Sequence, residues 1–507
     1  MYLKKTFLCV FVFTVSLVAC KKWDEHNKVE NQDLSKNLLE EISQRSNLSK
    51  FHEYLKKTGL DKELSSSKTY TVWAPVNDAL QTLDPAVIAD TARLRQFIAN
   101  HISYQTFFTR NAQVPMRVPM LNGKQITFSS TKFDEATITE ADKYVSNGVL
   151  QVIDKMAPVL PNAWELVNNT KTLFQQSAYI LTLTRNVFDP TNAIIDSISS
   201  TTGQPIYRPG TDSVLRNVYN TEVYDLQNEA KQYTYFILDN AAYNAEITKL
   251  NPFYKTSTAD STKNLASFAV VKDLTVEGLY TEAQLPPSLT SKFGVTIPID
   301  KSKIVETRRM SNGIAYVMSA INFVPKDKIP IVVVQGENYR GFFDVAGNAV
   351  TPRQNNVSAI FIRSRITPPT ALEPNVPFTD MFAYGHGITS LNAQYRVQNL
   401  PSVKYKVYWV APNDTLVMSS TTIVTAAFTQ RLAMGTRTAT GANLLPTVAP
   451  LPPLNVKPLS YNPVYLGDYT QAAFGTLDMF LTNATATTGE PGGNRLNLDY
   501  IKLVPDL

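Results

Sequence analysis

The feature that most narrows what this chain can fold into is that it uses one pattern twice. Asn37, Glu40, Leu48, Tyr54 and Leu55 return 125 residues later as Asn162, Glu165, Leu173, Tyr179 and Ile180. Tyr70-Thr71 with Asn77 and Ala79 return as Tyr233-Thr234 with Asn240 and Ala242, a shift of 163. Ser146-Asn147-Gly148-Val149 with Val152 return as Ser311-Asn312-Gly313-Ile314 with Val317, a shift of 165. Order is preserved while the offset grows by 38 residues, so the second copy carries an insertion, placed at about 186–231. Its Ser, Thr, Pro and Gly content suits an insertion or a long surface loop.

Within the first copy, Leu34, Leu38 and Ile42, then Leu48, Phe51 and Leu55, recur at three- and four-residue spacing, which predicts helices that stop at Gly59. Tyr70 to Trp73 reads as a strand, Asn77-Asp78 as the cap of a new helix, and Thr91 to His101 as a further helix. Strands follow at Gln125 to Phe128, Ala136 to Thr139 and Val149 to Ile153.

These segments carry a resemblance. Tyr70-Thr71-Val72-Trp73-Ala74-Pro75-Val76-Asn77-Asp78-Ala79-Leu80 resembles the first signature of fasciclin (FAS1) domains. Asn100-His101-Ile102 resembles their central Tyr-His segment, and Ser146 to Lys155 their closing signature. The second copy departs from this pattern: Ile237-Leu238 replaces Ala-Pro, and no histidine lies near Phe268 to Val271. The resemblance implies a β-wedge with several helices, used for adhesion and for glycan-associated or protein binding. His101 is accordingly read as a structural, hydrogen-bonded histidine, ahead of a catalytic role.

From Ile329 onward helical spacing gives way to short strands: 331–334, 359–366, 395–397, 403–410, 422–428, 473–481 and 496–504. That number of strands predicts a β-sandwich. Tyr465 to Tyr469 and the ending Leu496 to Pro505 resemble the last strands of galactose-binding-like jelly rolls, the fold of many carbohydrate-binding modules. The fold class expected is thus multidomain, α+β and all-β, with two fasciclin-like β-wedge and helix domains at 34–161 and 162–328 and a jelly-roll sandwich at 329–507.

At the other end, Met1 to Lys5 is basic, Thr6 to Val18 is apolar, and Leu17-Val18-Ala19-Cys20 resembles a bacterial lipobox. The apolar run is short of the ~20 residues of a spanning helix. The expectation is a signal peptide at 1–19, a lipid on Cys20 and a polar tether at 20–33, which would place the protein on a membrane without crossing it. Asp24 and Glu25 resemble the surface-export signal of Bacteroidetes-type lipoproteins, and read equally as a solvated tether. Cys9 and Cys20 are the only cysteines, so nothing beyond Cys20 supplies a disulfide, a thiolate nucleophile or a cysteine-based zinc site.

Charge and motifs exclude further classes. Forty-eight Lys and Arg against 43 Asp and Glu give +5, or +3 once Lys4 and Lys5 leave with the leader. So small an excess argues against nucleic acid as a partner. No GxSxG, P-loop, complete GxGxxG or HExxH is present, the four histidines are scattered, and no cofactor or metal is expected. Acidic pairs for glycoside hydrolysis stay open, because their geometry is spatial.

Sugar binding needs flat rings and nearby hydrogen-bonding groups. The sandwich offers Tyr384 and His386 in a Gly-rich loop, expected to be exposed, Trp409 at a strand end, and Tyr465 in a cluster with Tyr461 and Tyr469. Trp409 alternates with Tyr405 and Val407, which favours the core, and Asp499 suits a turn or sheet pairing as well as a ligand. The function expected is that of a non-catalytic lipoprotein of the outer membrane, facing the cell exterior and binding or docking a polysaccharide or protein. By resemblance it would assist a starch-utilisation-type uptake system with a TonB-dependent transporter and its partner lipoprotein. The alternatives are a surface adhesin and, more weakly, a polysaccharide hydrolase.

Overall fold

The computed structural model describes residues 35–507 apart from 67, 345–346, 355–356, 370, 389, 414–427, 436–450, 458–459 and 484–494. The leader, Cys20, the tether and the expected strand residues 422–427 lie outside the described residues. The chain forms two compact units, one reaching to Leu166 with Leu226–Tyr233 and Arg309–Ile314, the other comprising Val167–Asp225, Thr234–Arg308 and Ala315–Leu507. Among the described residues no helix is long and apolar enough to cross a membrane.

The first unit is organised by two adjacent parallel strands, Tyr70–Pro75 and Gly148–Ile153, paired Tyr70↔Gly148 through Pro75↔Ile153. Both are buried along their whole length, as inner strands covered on both faces must be, which is why neither sequence alternates in polarity. They sit inside a seven-stranded sheet whose far half is the meander Met116–Pro119, Gln125–Phe128, Lys132–Phe133 and Ala136–Val145. One face packs on the helices Leu38–Ser43, Ser49–Thr58, Leu60–Leu64 and Thr91–Ala99 through Leu38, Phe51, Leu55, Leu94 and Ile98. Asn37 and Glu40 close a capping box at the first helix. Gly59 ends the second with φ 72°, a left-handed geometry that a Cβ disfavours.

The second copy repeats this arrangement with the sheet order Thr275–Glu277, Tyr233–Leu238, Gly313–Met318, Ile304–Met310. The insertion lies outside that sheet and folds as two antiparallel pairs, Thr184–Phe188 with Ser213–Asn217 and Ile195–Ile198 with Pro205–Tyr207. Runs such as Ile195-Asp196-Ser197-Ile198 carry enough β-branched character to pair, so much of the stretch expected as an insertion or loop is a pair of ladders.

From Val332 to the C-terminus the described structure is antiparallel β. One sheet joins Val332–Gln335, Tyr500–Pro505, Lys404–Val410 and Val464–Thr470. The other contains Gly341–Phe343, Asn392–Leu400, Gly475–Asn483 and Phe428–Gly435. Tyr405, Val407, Trp409, Ile501 and Leu503 of the first meet Phe342, Tyr395, Leu432, Met479 and Leu481 of the second in one core, which makes this region a β-sandwich. Along Lys404–Val410 the even-numbered side chains face outward and the odd-numbered ones inward through Trp409, the period of two that a half-buried strand demands. A third sheet, Ile360–Ile366 with Pro377–Ala383 and Leu496–Leu498, contributes Met381, Ala383 and Leu498 to the same core.

Candidate functional site

A cleft of the sandwich opens beside this third sheet. Strands Ile360–Ile366 and Pro377–Ala383 pair with Ile366 opposite Pro377, so the chain reverses between them. That turn is tied from within: Thr367 Oγ1 donates to the Glu373 carbonyl at 2.6 Å and accepts from the Val376 amide at 2.9 Å. It is tied from outside by the Leu372 amide, which donates to Asn462 Oδ1 at 3.1 Å. The resulting cleft of about 710 Å³ is lined by Phe378, Tyr461 and Tyr500 among rings and by Glu337, Arg365 and Asp499 among charged groups.

Cross-strand register places these side chains. Arg363 stands opposite Asp380 and Arg365 opposite Phe378. Asp380 is fully buried and ion-paired to Arg363, with the Arg365 guanidinium 3.6 Å away. Arg365 also lies over the Phe378 ring at 5.2 Å, and the Tyr461 ring meets Phe378 edge to face at 6.2 Å and 74°. A stack of cation, ring and ring holds Phe378 in one orientation.

The floor is Asp499. Its amide donates to the Val410 carbonyl at 2.8 Å and its carbonyl accepts from Gly336 at 2.5 Å, which pins the backbone between two strands. A Cβ on Gly336 would come within 1.9 Å of the Leu498 carbonyl oxygen, so only glycine permits this approach. The Asp499 side chain is 7% exposed, and among the described residues no hydrogen bond or ion pair reaches its carboxyl. Burial, then the charges of Asp380 and Glu337, pushes its pKa up to about 7, with Arg365 opposing. The buried Glu337 Oε2 likewise has no hydrogen-bond partner among the described residues.

The residues singled out in the sequence fall elsewhere. Trp409 is 2% exposed in the sandwich core, so it presents no ring to a ligand and is corrected from a candidate to a packing residue. His386 is corrected too. Gly385 and Gly387, at φ 67° and 66°, turn the loop so that the imidazole is buried, 4% exposed, where Nδ1 accepts from the Ile388 amide at 3.1 Å. Tyr384 is half-buried, its ring parallel to Phe382 at 5.9 Å with the Arg495 guanidinium 5.4 Å from it. Tyr465 is 49% exposed beside Tyr408, and its hydroxyl donates to Asp468 at 2.5 Å. None of these four lines the cleft, whereas Tyr461, grouped in the sequence with Tyr465 as a ring for sugar binding, and Asp499, which suited a turn or sheet pairing as well as a ligand, both do. Phe378, Arg365 and Glu337 went unnoticed. The one available signal was the Arg363-Ser364-Arg365 alternation on a strand otherwise rich in apolar residues.

His101 is structural. It is fully buried, Nδ1 lies 2.9 Å from the Phe97 carbonyl, and Nε2 accepts from the Ala157 amide at 3.0 Å. Burial pulls its pKa down to about 4, so the ring is neutral with both nitrogens engaged. Among the described residues no group of three or more His, Cys, Asp and Glu is placed to hold a metal ion.

Residues 46–158 match the family model described as the fasciclin domain. No curated protein matches the chain. Solved structures to which it is similar include the FAS1 domain pair of the insect cell adhesion molecule fasciclin I, at 17% identity and TM-score 0.22, covering 56% of this chain and 99% of that one. A family 35 carbohydrate-binding module from Clostridium thermocellum matches at 13% identity and TM-score 0.20, covering 35% of this chain and 98% of that one. The Podospora anserina GH26-CBM35 β-(1,4)-mannanase matches at 10% identity and TM-score 0.22, over 35% of this chain and only 28% of that protein.

Proposed function

We propose that this protein is a non-catalytic, lipid-anchored surface protein that captures uncharged glycan segments in the sandwich cleft, with the two fasciclin-like copies as its scaffold. The observation that carries the reading is the cleft itself. Rings fixed edge to face offer apolar walls for sugar C–H faces, and Gln335, Asn462, Glu337 and Asp499 stand beside them to serve hydroxyls. The lining sets Arg365 and Lys502 against Glu337, Glu373 and Asp499, a balance without basic excess that favours a neutral ligand over a polyanion. Anchoring through Cys20 at the outer membrane would raise the effective concentration of a weak site, and a TonB-dependent transporter with its partner lipoprotein would take up what is captured.

The test is calorimetric titration of the full chain, lacking only the leader, with galactomannan, xylan and amylopectin oligosaccharides. The reading expects saturable heat with at least one, and an affinity that changes little between low and high salt. No heat with any of them overturns it. The fasciclin match over residues 46–158 favours a second reading, adhesion to a neighbouring cell. In that case the chain would bind cell surfaces stripped of polysaccharide as well as intact ones.

A further inference from the structure

The cleft contains one group whose state the fold leaves unsettled. Asp499 is more than nine-tenths buried, lines the cleft, and has no hydrogen bond or ion pair to its carboxyl among the described residues. Buried carboxyls are ordinarily bonded, and one left without a partner is costly unless something else supplies it. Its neighbours do not. Asp380, on the adjacent strand, is already committed to Arg363 and Arg365. Glu337 brings a second carboxylate with a buried, unbonded oxygen. Arg365 is drawn away over Phe378, and Tyr500 follows Asp499 directly in the chain. Among the described residues neither carboxyl has a donor, and the cleft they line is walled by rings suited to sugar faces.

We propose that Asp499 is the residue that reads the ligand: hydroxyl groups of a bound neutral sugar donate to its carboxylate and supply the hydrogen bonds the protein withholds. This rests on the reading of the cleft as a glycan site and names its specificity residue and the donor chemistry it selects. A consequence is proton linkage. With a free-state pKa near 7, Asp499 is substantially protonated in neutral solution. Hydroxyl donors favour its ionised form and lower its pKa in the complex, so binding releases a proton. The sign is fixed. Affinity rises with pH between the bound and free values, by at most tenfold per pH unit, and levels off above about pH 8. The groups facing Asp499 are Asp380, Glu337, Arg365 and Tyr500, and burial with the Asp499 charge pushes the Tyr500 hydroxyl above its ordinary range.

The test uses the full chain without its leader and the oligosaccharide that gives the largest heat among galactomannan, xylan and amylopectin. Titrations at pH 6, 7 and 8 in buffers of different ionisation enthalpy count the protons exchanged on binding. The proposal expects proton release at pH 6 and 7 that vanishes at pH 8, and a loss of both the release and about tenfold in affinity in Asp499→Asn. Proton counting on the unaltered protein keeps the proposal exposed should that variant fold poorly. Binding that falls in Phe378→Ala but shows no proton release, or proton uptake, overturns the role of Asp499 and leaves the cleft standing. Binding unaffected by Phe378→Ala overturns the cleft and the proposal with it, as does the absence of heat with all three probes.

Discussion

The two copies of the repeated pattern hold their strand junctions with the same bonds and differ in almost everything around them. In the first, Asn147 accepts from the Leu38 amide at 2.8 Å and donates to the Leu64 carbonyl. In the second, Asn312 accepts from Ala163 at 2.8 Å and donates to Leu226. Thr71 donates to Gln105 and accepts from the Phe107 amide, and Thr234 does the same with Gly278 and Tyr280. Asn77 and Asn240 each accept from an amide of the preceding helical region, Lys50 and Gln175. Gly148 and Gly313 sit at φ 152° and 151°, each against the carbonyl of a strand-opening tyrosine. Yet the first copy has a buried histidine and a long meander. The second has neither; it has a two-ladder insertion and a buried Lys328–Asp273 pair with both side chains fully covered. The comparison teaches that this fold is specified by backbone satisfaction at one parallel-strand junction, while the packing around the junction is free to change.

The largest effect should come from the glycines. A Cβ at Gly148 would stand 2.0 Å from the Tyr70 carbonyl oxygen, and one at Gly313 1.9 Å from that of Tyr233. Gly148→Ala and Gly313→Ala should each cost about 4 kcal/mol or more in urea unfolding, far beyond the ordinary point substitution. A cost below about 1 kcal/mol at either position would break the equivalence.

Next is a residue that belongs to the second copy alone. Lys328 Nζ donates to Asp273 at 2.6 Å and to the Ala269 carbonyl at 2.8 Å, while Ser291 Oγ donates to the other Asp273 oxygen. Removing one partner strands the other in the interior. Lys328→Met should cost about 3–5 kcal/mol, and adding Asp273→Leu should recover much of it. A double variant no more stable than the single would show that the pair is not coupled.

The smallest effect is the histidine of the first copy. His101→Ala leaves the Ala157 amide without an acceptor and should cost about 2–3 kcal/mol. Its pH signature is more telling. Held near 4 in the folded state against about 6.5 when unfolded, the ring takes up its proton first in the unfolded chain. Stability is therefore lost as pH falls from about 6.5 toward 4. Hydrogen exchange followed by mass spectrometry should show that loss around Ala157 and not at the matching strand Gly313–Met318. Equal sensitivity in both would assign it to another group.

Much of this was legible in the sequence because it is local or repeated. The Asn-Gly junction announced itself by recurring, Gly59 by following a periodic run, and Trp409 by alternating with Tyr405 and Val407. The cleft was not legible, because its parts meet only through register. Phe378 reaches Arg365 across the antiparallel strand pair, and Tyr461 and Asp499 arrive from more than eighty residues further along the chain. Local spacing carries no information about such meetings. His386 misled for a related reason: flanking glycines suggest exposure, yet their positive φ values are what turn the ring inward.

The most direct test of the account compares two rings of the sandwich, Phe378 in the cleft and Tyr384 outside it, by affinity electrophoresis of the full chain in gels containing the oligosaccharide's parent polysaccharide. Phe378→Ala should lose about tenfold or more in retardation constant, the scale of one stacking ring, while Tyr384→Ala should migrate as the unaltered protein does. The reverse, retardation lost in Tyr384→Ala and kept in Phe378→Ala, would contradict the placement of the site in the cleft.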